Sequence, residues 1–130
     1  MKKLLGIALL AFVLVACNKE KVMKSSLEGE WNVYKYLQYN IDRTTDFLGR
    51  HPQYSLVFTS DGKFVESFLP TGDTIPTVAA GTWAFADNLE KLQLIDTVYG
   101  TRTYTVFNLT DNHVQLRNDT SQLYLRKLEQ

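Results

Sequence analysis

Apolar and polar residues alternate along most of this chain with a period of two, in short segments that begin after residue 26. Because successive side chains of a β-strand point to opposite faces, this alternation predicts half-buried strands. Turn-forming pairs such as Asp61-Gly62 and Asn118-Asp119 separate the segments. Eight strands are predicted in this way: residues 29–39, 54–59, 63–69, 77–85, 89–96, 101–109, 113–118 and 121–128.

This arrangement of strands indicates an all-β fold. Eight short antiparallel strands joined by tight turns are typical of a sandwich or of an up-and-down barrel. A closed barrel would also remove the exposed strand edges that invite aggregation. The interior of an eight-stranded barrel is either filled by side chains or holds one small ligand. Helical periodicity is limited to one turn within residues 42–49.

The alternation also predicts which side chains face the interior. In the first strand, Trp31, Val33, Leu37 and Tyr39 share one face. Applied to the aromatic residues of the later strands as well, the pattern gives a set of candidate ligand-binding residues: Trp31, Val33, Leu37, Tyr39, Phe58, Phe64, Phe68, Trp83 and Phe85.

Residues 40–53 form the one long connection between predicted strands. Loops of more than about 12 residues in compact domains are often functional. This loop contains Phe47 and Leu48, which we interpret as candidate lid residues over the open end of a barrel. A plug that completes the core is favoured over a gated lid.

The beginning of the chain predicts an export signal. Lys2 and Lys3 precede an apolar segment of 13 residues (4–16), which is shorter than the roughly 20 residues of a membrane-spanning helix. The segment ends in Leu14-Val15-Ala16-Cys17, which resembles the lipobox of bacterial lipoproteins. The resemblance implies that residues 1–16 are a cleaved signal peptide and that Cys17 carries acyl chains such as palmitate.

Residues 17–26 are then interpreted as a lipidated, flexible tether, because residues 18–26 are polar except for Val22 and Met23. Many Gram-negative lipoproteins that lack Asp after the cysteine reside in the outer membrane, and Asn18 stands there in this chain. We therefore expect a lipoprotein of the bacterial cell envelope, anchored to the outer membrane through Cys17, with residues 27–130 as one folded domain.

Composition and motifs argue against several classes of function. Without residues 1–16 the chain has 12 basic and 14 acidic side chains, a formal charge of −2, and so lacks the basic field that binds nucleic acid. Its two histidines, His51 and His113, lack the spacing of metal ligands, and no nucleophile elbow or phosphate-binding glycine loop is present. We expect a protein that is not an enzyme and that needs no metal and no cofactor.

The start of the first strand, Gly29-x-Trp31, resembles the Gly-x-Trp signature of lipocalins. The order of elements is similar as well, with a long loop after the first strand and short hairpins up to the eighth. The resemblance implies a small eight-stranded antiparallel lipocalin-like barrel. It also implies a cation–π contact on Trp31 from an arginine near the last strand, for which Arg126 is the first choice and Arg117 the second.

Two functions remain open at this point. A carrier would hold a small hydrophobic ligand inside the barrel, which requires an apolar cavity of about 300 Å³ or more. A tethered interaction module with a filled core would instead bind an envelope protein or a glycan through exposed aromatic residues, with Tyr34, Tyr36 and Tyr99 as candidates. The lipocalin resemblance favours the carrier.

Overall fold

The computed structural model describes residues 18–128, so the predicted signal peptide (residues 1–16) and Cys17 lie outside the described residues. Within this range the chain forms helix α1 (residues 18–27), helix α2 (Thr44–Arg50) and nine strands: β1 (Gly29–Gln38), β2 (Ile41–Asp42), β3 (Ser55–Phe58), β4 (Lys63–Phe68), β5 (Thr77–Ala86), β6 (Lys91–Asp96), β7 (Gly100–Phe107), β8 (His113–Arg117) and β9 (Ser121–Lys127). Strands β1 and β3–β9 correspond to the eight segments predicted from the alternation.

The strands form one antiparallel sheet that closes on itself. Each strand from β3 to β9 pairs with its neighbour in sequence, and β1 pairs with both β3 and β9. Strand β2 adds a short ladder at the end of β1, where Asp42 lies opposite Leu37. The prediction of an all-β, eight-stranded antiparallel barrel is confirmed.

The barrel has two different ends. The closed end carries the start of β1 and the turns β3–β4, β5–β6 and β7–β8, whereas the open end carries helix α2 and the connections β4–β5, β6–β7 and β8–β9. The largest fully buried side chains, Trp31, Phe58 and Phe64, lie toward the closed end. Trp83 packs edge-on against Phe58, with 5.5 Å between ring centroids. Side chains therefore fill the barrel at its closed end.

A β-bulge in β1 changes which of its side chains face the interior. The register with β9 shifts between Val33 and Lys35, so the alternation resumes one residue later. Val33 is buried before the bulge, and Tyr36 packs against the core after it. The predicted interior positions of Leu37 and Tyr39 are therefore wrong. Leu37 lies on the outer face, and Tyr39 is 67% exposed beyond the end of the strand.

Helix α1 packs at the closed end, in the segment predicted to be a flexible tether. Its more buried positions include Met23, Ser26 and Leu27, a spacing that puts them on one helical face. Leu27 belongs to the core, and the Ser26 hydroxyl donates a 2.9 Å hydrogen bond to Asp111 in the β7–β8 turn. Residues 18–26, predicted to be a flexible tether, form part of helix α1 in the structure, because packing against the barrel stabilises a helix whose own sequence signal is weak.

Trp31 connects helix α1 to the barrel wall. Its indole is fully buried, and its Nε1 donates a 2.8 Å hydrogen bond to the carbonyl of Leu27. The ammonium group of Lys127 lies 5.0 Å from the centroid of the Trp31 ring and donates a 2.6 Å hydrogen bond to the carbonyl of Ser26. Two carbonyls at the end of the helix, which have no partner within it, are thereby satisfied.

The cation on Trp31 is thus Lys127 and neither Arg126 nor Arg117. In β9 the fully buried Leu125 marks the inward face, and alternation places residue 127 on that face and residue 126 on the other. Both arginines lie over partly exposed rings on the outer surface. The predicted cation–π contact is correct in kind and wrong in the residue that makes it.

Replacing Trp31 with Phe keeps an aromatic ring but leaves the buried Leu27 carbonyl without its donor. We expect the free energy of unfolding, measured by urea denaturation, to fall by about 1–3 kcal/mol more than in the control. Trp83→Phe is that control. It loses the same ring volume, but the Trp83 indole donates (3.2 Å) to the carbonyl of Thr59, an exposed residue that water can reach. Equal losses in the two variants would contradict the role assigned to the Leu27 contact.

Candidate functional site

A cavity of about 210 Å³ lies at the open end of the barrel. It is bounded by the end of β1, by helix α2 and the residues after it, and by side chains of the strands that meet at this end. Seven of its lining residues carry rings and five do not: Tyr36, Phe47, His51, Tyr54, Phe68, Tyr99 and Tyr104 in the first group, and Glu66, Arg102, Asn118, Ser121 and Leu123 in the second.

One wall of the cavity is a continuous set of aromatic rings. Phe47 stacks on Tyr36 and on His51, with centroid separations of 4.6 and 4.3 Å. Tyr54 meets Phe47 edge-on at 5.4 Å, and Phe68 meets His51 edge-on at 4.6 Å. Each ring in this wall is held by at least one other, so the wall is preorganised rather than assembled by a ligand.

Hydrogen bonds to β1 hold helix α2 over the opening. The backbone amide of Arg43 donates to the carbonyl of Tyr36 at 2.9 Å, and the amide of Tyr36 donates to the Thr44 hydroxyl at 3.0 Å. Asp42 accepts hydrogen bonds from both the amide and the hydroxyl of Thr44. These contacts fix the start of α2 and place Phe47, one helical turn later, above the barrel interior.

A buried ionic cluster adjoins the aromatic wall. Arg102 donates from Nη1 to Glu66 at 2.9 Å and from Nη2 to Asp96 at 3.2 Å. The Tyr54 hydroxyl donates a 2.5 Å hydrogen bond to the other oxygen of Glu66. The three charged residues come from β4, β6 and β7, and the cluster ties these strands together at the open end.

Asp96 anchors the cluster to the β6–β7 turn. One carboxylate oxygen accepts hydrogen bonds from the backbone amides of Val98 and Tyr99, at 2.7 and 2.6 Å. Burial alone would raise the pKa of Asp96, but these two amides and the Arg102 guanidinium lower it below its usual value. Burial alone would likewise lower the pKa of Arg102, which Glu66 and Asp96 instead raise. Both groups are therefore charged at neutral pH.

Two buried tyrosines complete the polar surface. Burial raises the pKa of Tyr54 well above its ordinary value, and the charge of Glu66 adds to the shift. Burial also raises the pKa of Tyr104, although Arg102 opposes that shift. Both phenols are therefore protonated at neutral pH, and the Tyr54 hydroxyl donates to Glu66.

The structure places few of the predicted site residues at this cavity. Phe68, a ligand-binding candidate, and Phe47, a lid candidate, line it. The second lid candidate, Leu48, is 42% exposed on the surface of α2. Leu37 and Tyr39 lie outside the barrel, as described above. The remaining candidates pack within the core or against it: Trp31, Val33, Phe58, Phe64, Trp83 and Phe85.

The sequence contains a signal for these polar residues that the pattern of apolar side chains alone does not reveal. Glu66 lies two residues from Phe64 and from Phe68, at an inward position of the alternation in β4. Arg102 has the same relation to Tyr104 in β7. Two inward charges of opposite sign predict a buried pair, because an unpaired charge in the interior is costly. Glu66 and Arg102 are 36 positions apart in the chain, which conceals this pairing.

The three tyrosines predicted to form the surface of an interaction module lie in different parts of the structure. Tyr34 is exposed on the outer face of β1, and Tyr99 is exposed at the rim of the open end. Tyr36 is directed inward by the bulge, and its hydroxyl lies 2.9 Å from that of Ser121 in the cavity wall. The three tyrosines therefore do not form one exposed surface.

The two histidines lie in different surroundings. His51 belongs to the aromatic wall, with its Nδ1 2.9 Å from the Phe47 carbonyl, whereas His113 packs edge-on against Tyr34 outside the barrel.

Residues 18–128 contain no group of three or more His, Cys, Asp or Glu side chains arranged to hold a metal. In the same part of the chain, no helix has the length and apolar character needed to cross a membrane.

Solved structures share this fold. A lipocalin-like protein from Bacteroides uniformis superimposes with a TM-score of 0.64 at 17% identity, over 79% of this chain and 99% of that one. An uncharacterized protein from Bacteroides eggerthii superimposes with a TM-score of 0.61 at 14% identity, over 78% of this chain and 99% of the other. No protein-family model and no curated protein matches this sequence. At these identities the likeness establishes a lipocalin-like barrel fold.

Asp96→Asn tests the ionic cluster through the pH dependence of stability. Because the pKa of Asp96 is lowered in the folded chain, its carboxylate stabilises the fold above about pH 4, and this contribution is lost as the pH falls through the folded pKa. We expect the variant to have a lower melting temperature than wild type at pH 7, with a difference that narrows below about pH 4. Asp119→Asn, at an exposed turn, is the control. A difference that does not change with pH would contradict this role.

Proposed function

We propose that this chain is a lipid-anchored lipocalin-like protein of the bacterial outer membrane that binds one small ligand at its open end. The cavity of about 210 Å³ carries the proposal, because it combines an aromatic wall with buried polar groups beside one opening. Sites for small molecules are typically concave, largely apolar and equipped with a few convergent polar groups. The closed end is filled by core side chains, so the open end is where the barrel offers space.

The size and lining of the cavity favour a small amphipathic ligand. Its volume of about 210 Å³ is below the roughly 300 Å³ expected for a carrier of hydrophobic molecules. Glu66, Arg102 and Tyr104 contribute polar groups to the lining, and covering these with an apolar ligand would remove water without replacing its hydrogen bonds. A short apolar body with at least one polar group therefore fits better than a fatty acid chain.

Helix α1 supports an orientation in which the opening faces away from the membrane. The helix packs at the closed end through Ser26 and Leu27, and the chain that precedes it leads back to Cys17. A lipid on Cys17 would hold the closed end toward the bilayer. The ligand would then enter the open end from the surrounding solution.

A larger side chain at Ser121 should block the proposed site. Ser121 lines the cavity, and a Phe at this position would fill space that is open to a ligand. Amide chemical shifts are the appropriate readout, because neither Trp31 nor Trp83 lines the cavity and tryptophan emission would miss the event. We expect at least one of phenethylamine, 2-phenylethanol and phenylacetate to shift cavity resonances of the wild type. Ser121→Phe should weaken that binding by at least about tenfold, or about 1.4 kcal/mol.

Thr120→Phe is the matched control, because Thr120 is exposed beside Ser121 and lies outside the cavity. Circular dichroism of both variants checks that the barrel is intact. Undiminished binding in Ser121→Phe, or shifts that map away from the cavity, would contradict the location of the site. No shifts with any of the three probes would contradict the proposed binding function.

Cys17→Ser tests the anchor. The variant lacks the sulfur that would carry the acyl chain, so we expect no acyl mass on the protein, incomplete processing and loss of normal membrane association. Mass spectrometry and membrane fractionation measure these outcomes, with Asn18→Gln as a control that leaves the cysteine in place. A Cys17→Ser chain of mature length that still fractionates with membranes would show that the lipobox interpretation is wrong.

A further inference from the structure

The ionic cluster beside the cavity carries more negative than positive charge. Glu66 and Asp96 are carboxylates, and Arg102 is the guanidinium that pairs with both. The formal charges of these three side chains therefore sum to one negative charge. The side chains of Glu66, Asp96 and Arg102 are only 13, 0 and 21% exposed, so water screens this charge poorly and it acts strongly within the cavity.

The positive charge of Arg102 is offset within the cluster. Its Nη1 and Nη2 atoms each donate one hydrogen bond to a carboxylate, and each carries a second N–H. Its Nε is buried without a hydrogen-bond partner among the described residues, and its accessible surface is below 1 Å², so a ligand in the cavity cannot reach it. The guanidinium also lies over the Tyr99 ring, 4.9 Å from its centroid. The one positive charge of the cluster is therefore offset by two carboxylates.

Glu66, in contrast, can accept further hydrogen bonds. A carboxylate has about four acceptor positions, and Glu66 uses one on each oxygen, for Arg102 and for Tyr54. Unlike Asp96, Glu66 lines the cavity. Glu66 is therefore a negatively charged group that a bound molecule can contact directly.

The aromatic rings around Glu66 also favour a positively charged ligand. Aromatic faces carry partial negative charge and attract cations, most strongly where water is excluded. Seven lining residues carry aromatic rings, including the stacked rings of Tyr36, Phe47 and His51. A cation in this cavity would lie among ring surfaces and beside a carboxylate.

From this geometry we propose that the ligand of the open-end cavity is a small protonated amine. Its ammonium group donates to Glu66, and its short apolar or aromatic body lies among the rings. This inference rests on the proposed binding function and deepens it by naming the class of ligand. An alcohol of the same shape lacks the charge, and a carboxylate of similar size is opposed by the net charge of the cluster.

Two matched series of probes test the inference with the unmodified protein. One series is phenethylamine, 2-phenylethanol and phenylacetate, and the other is isoamylamine, 3-methylbutan-1-ol and 3-methylbutanoate. Each series keeps a similar apolar body and changes the charge of the polar group. Dissociation constants are measured by amide chemical-shift titration at low ionic strength. We expect at least one amine to bind at least about tenfold more tightly than its alcohol, and the carboxylates to bind most weakly.

The variant Glu66→Gln tests whether the Glu66 carboxylate causes the preference for amines. The substitution replaces the carboxylate with an uncharged amide of similar shape. Affinity for the amine should therefore fall by about tenfold or more, while affinity for the alcohol stays within about twofold. Glu90→Gln is the control, because it makes the same change at an exposed position near the closed end. The comparison between probes in the wild type needs no variant, so it stands even if Glu66→Gln destabilises the barrel.

The outcomes separate this inference from the proposed function. Equal affinity for amine and alcohol in both series, or tighter binding of the carboxylates, would overturn the amine as ligand and leave small-molecule binding in place. An amine preference that persists unchanged in Glu66→Gln would overturn the role of this carboxylate. Six probes that all leave the cavity resonances unshifted would overturn the proposed function and this inference with it.

Discussion

The buried hydrogen bond from the Trp31 indole to the Leu27 carbonyl is the interaction on which the architecture depends most. It joins the end of helix α1 to the first strand of the barrel, and Lys127 reinforces the joint from the last strand. The first and last strands are also the pair that closes the sheet. This buried contact therefore links barrel closure, helix packing and the filled core of the closed end.

Much of the fold could be predicted from alternation alone, because each strand is short, half-buried and bounded by turn residues. The errors arise where a tertiary contact overrides a local pattern. The bulge after Val33 exchanged the expected positions of Tyr36 and Leu37, and nothing in the local sequence marks the extra residue. Helix α1 was missed because its stability depends on packing against the barrel end. The alternation in β9 places residue 127 on the same face as Leu125, so the sequence favours Lys127 over Arg126 as the cation that contacts Trp31.

The candidate site was less predictable, because its chemistry is made by residues far apart in the chain. Phe47 was identified from the length of its loop, but the cluster of Glu66, Asp96 and Arg102 exists only after four strands have paired. Such a cluster is a poor means of stabilising a fold, since apolar side chains of similar volume often do as well or better. The position of this cluster beside the open-end cavity is consistent with the proposed binding function.

The filled closed end has a consequence for how such proteins diverge. Because the aromatic core and the Trp31 contact lie at the closed end, substitutions around the opening leave that part of the fold unchanged. Changes there can alter the shape and charge of the cavity while the strand framework persists. The structural neighbours keep the barrel at 14–17% identity, which is what such a division of labour allows. Two proteins with this architecture therefore need not share a function.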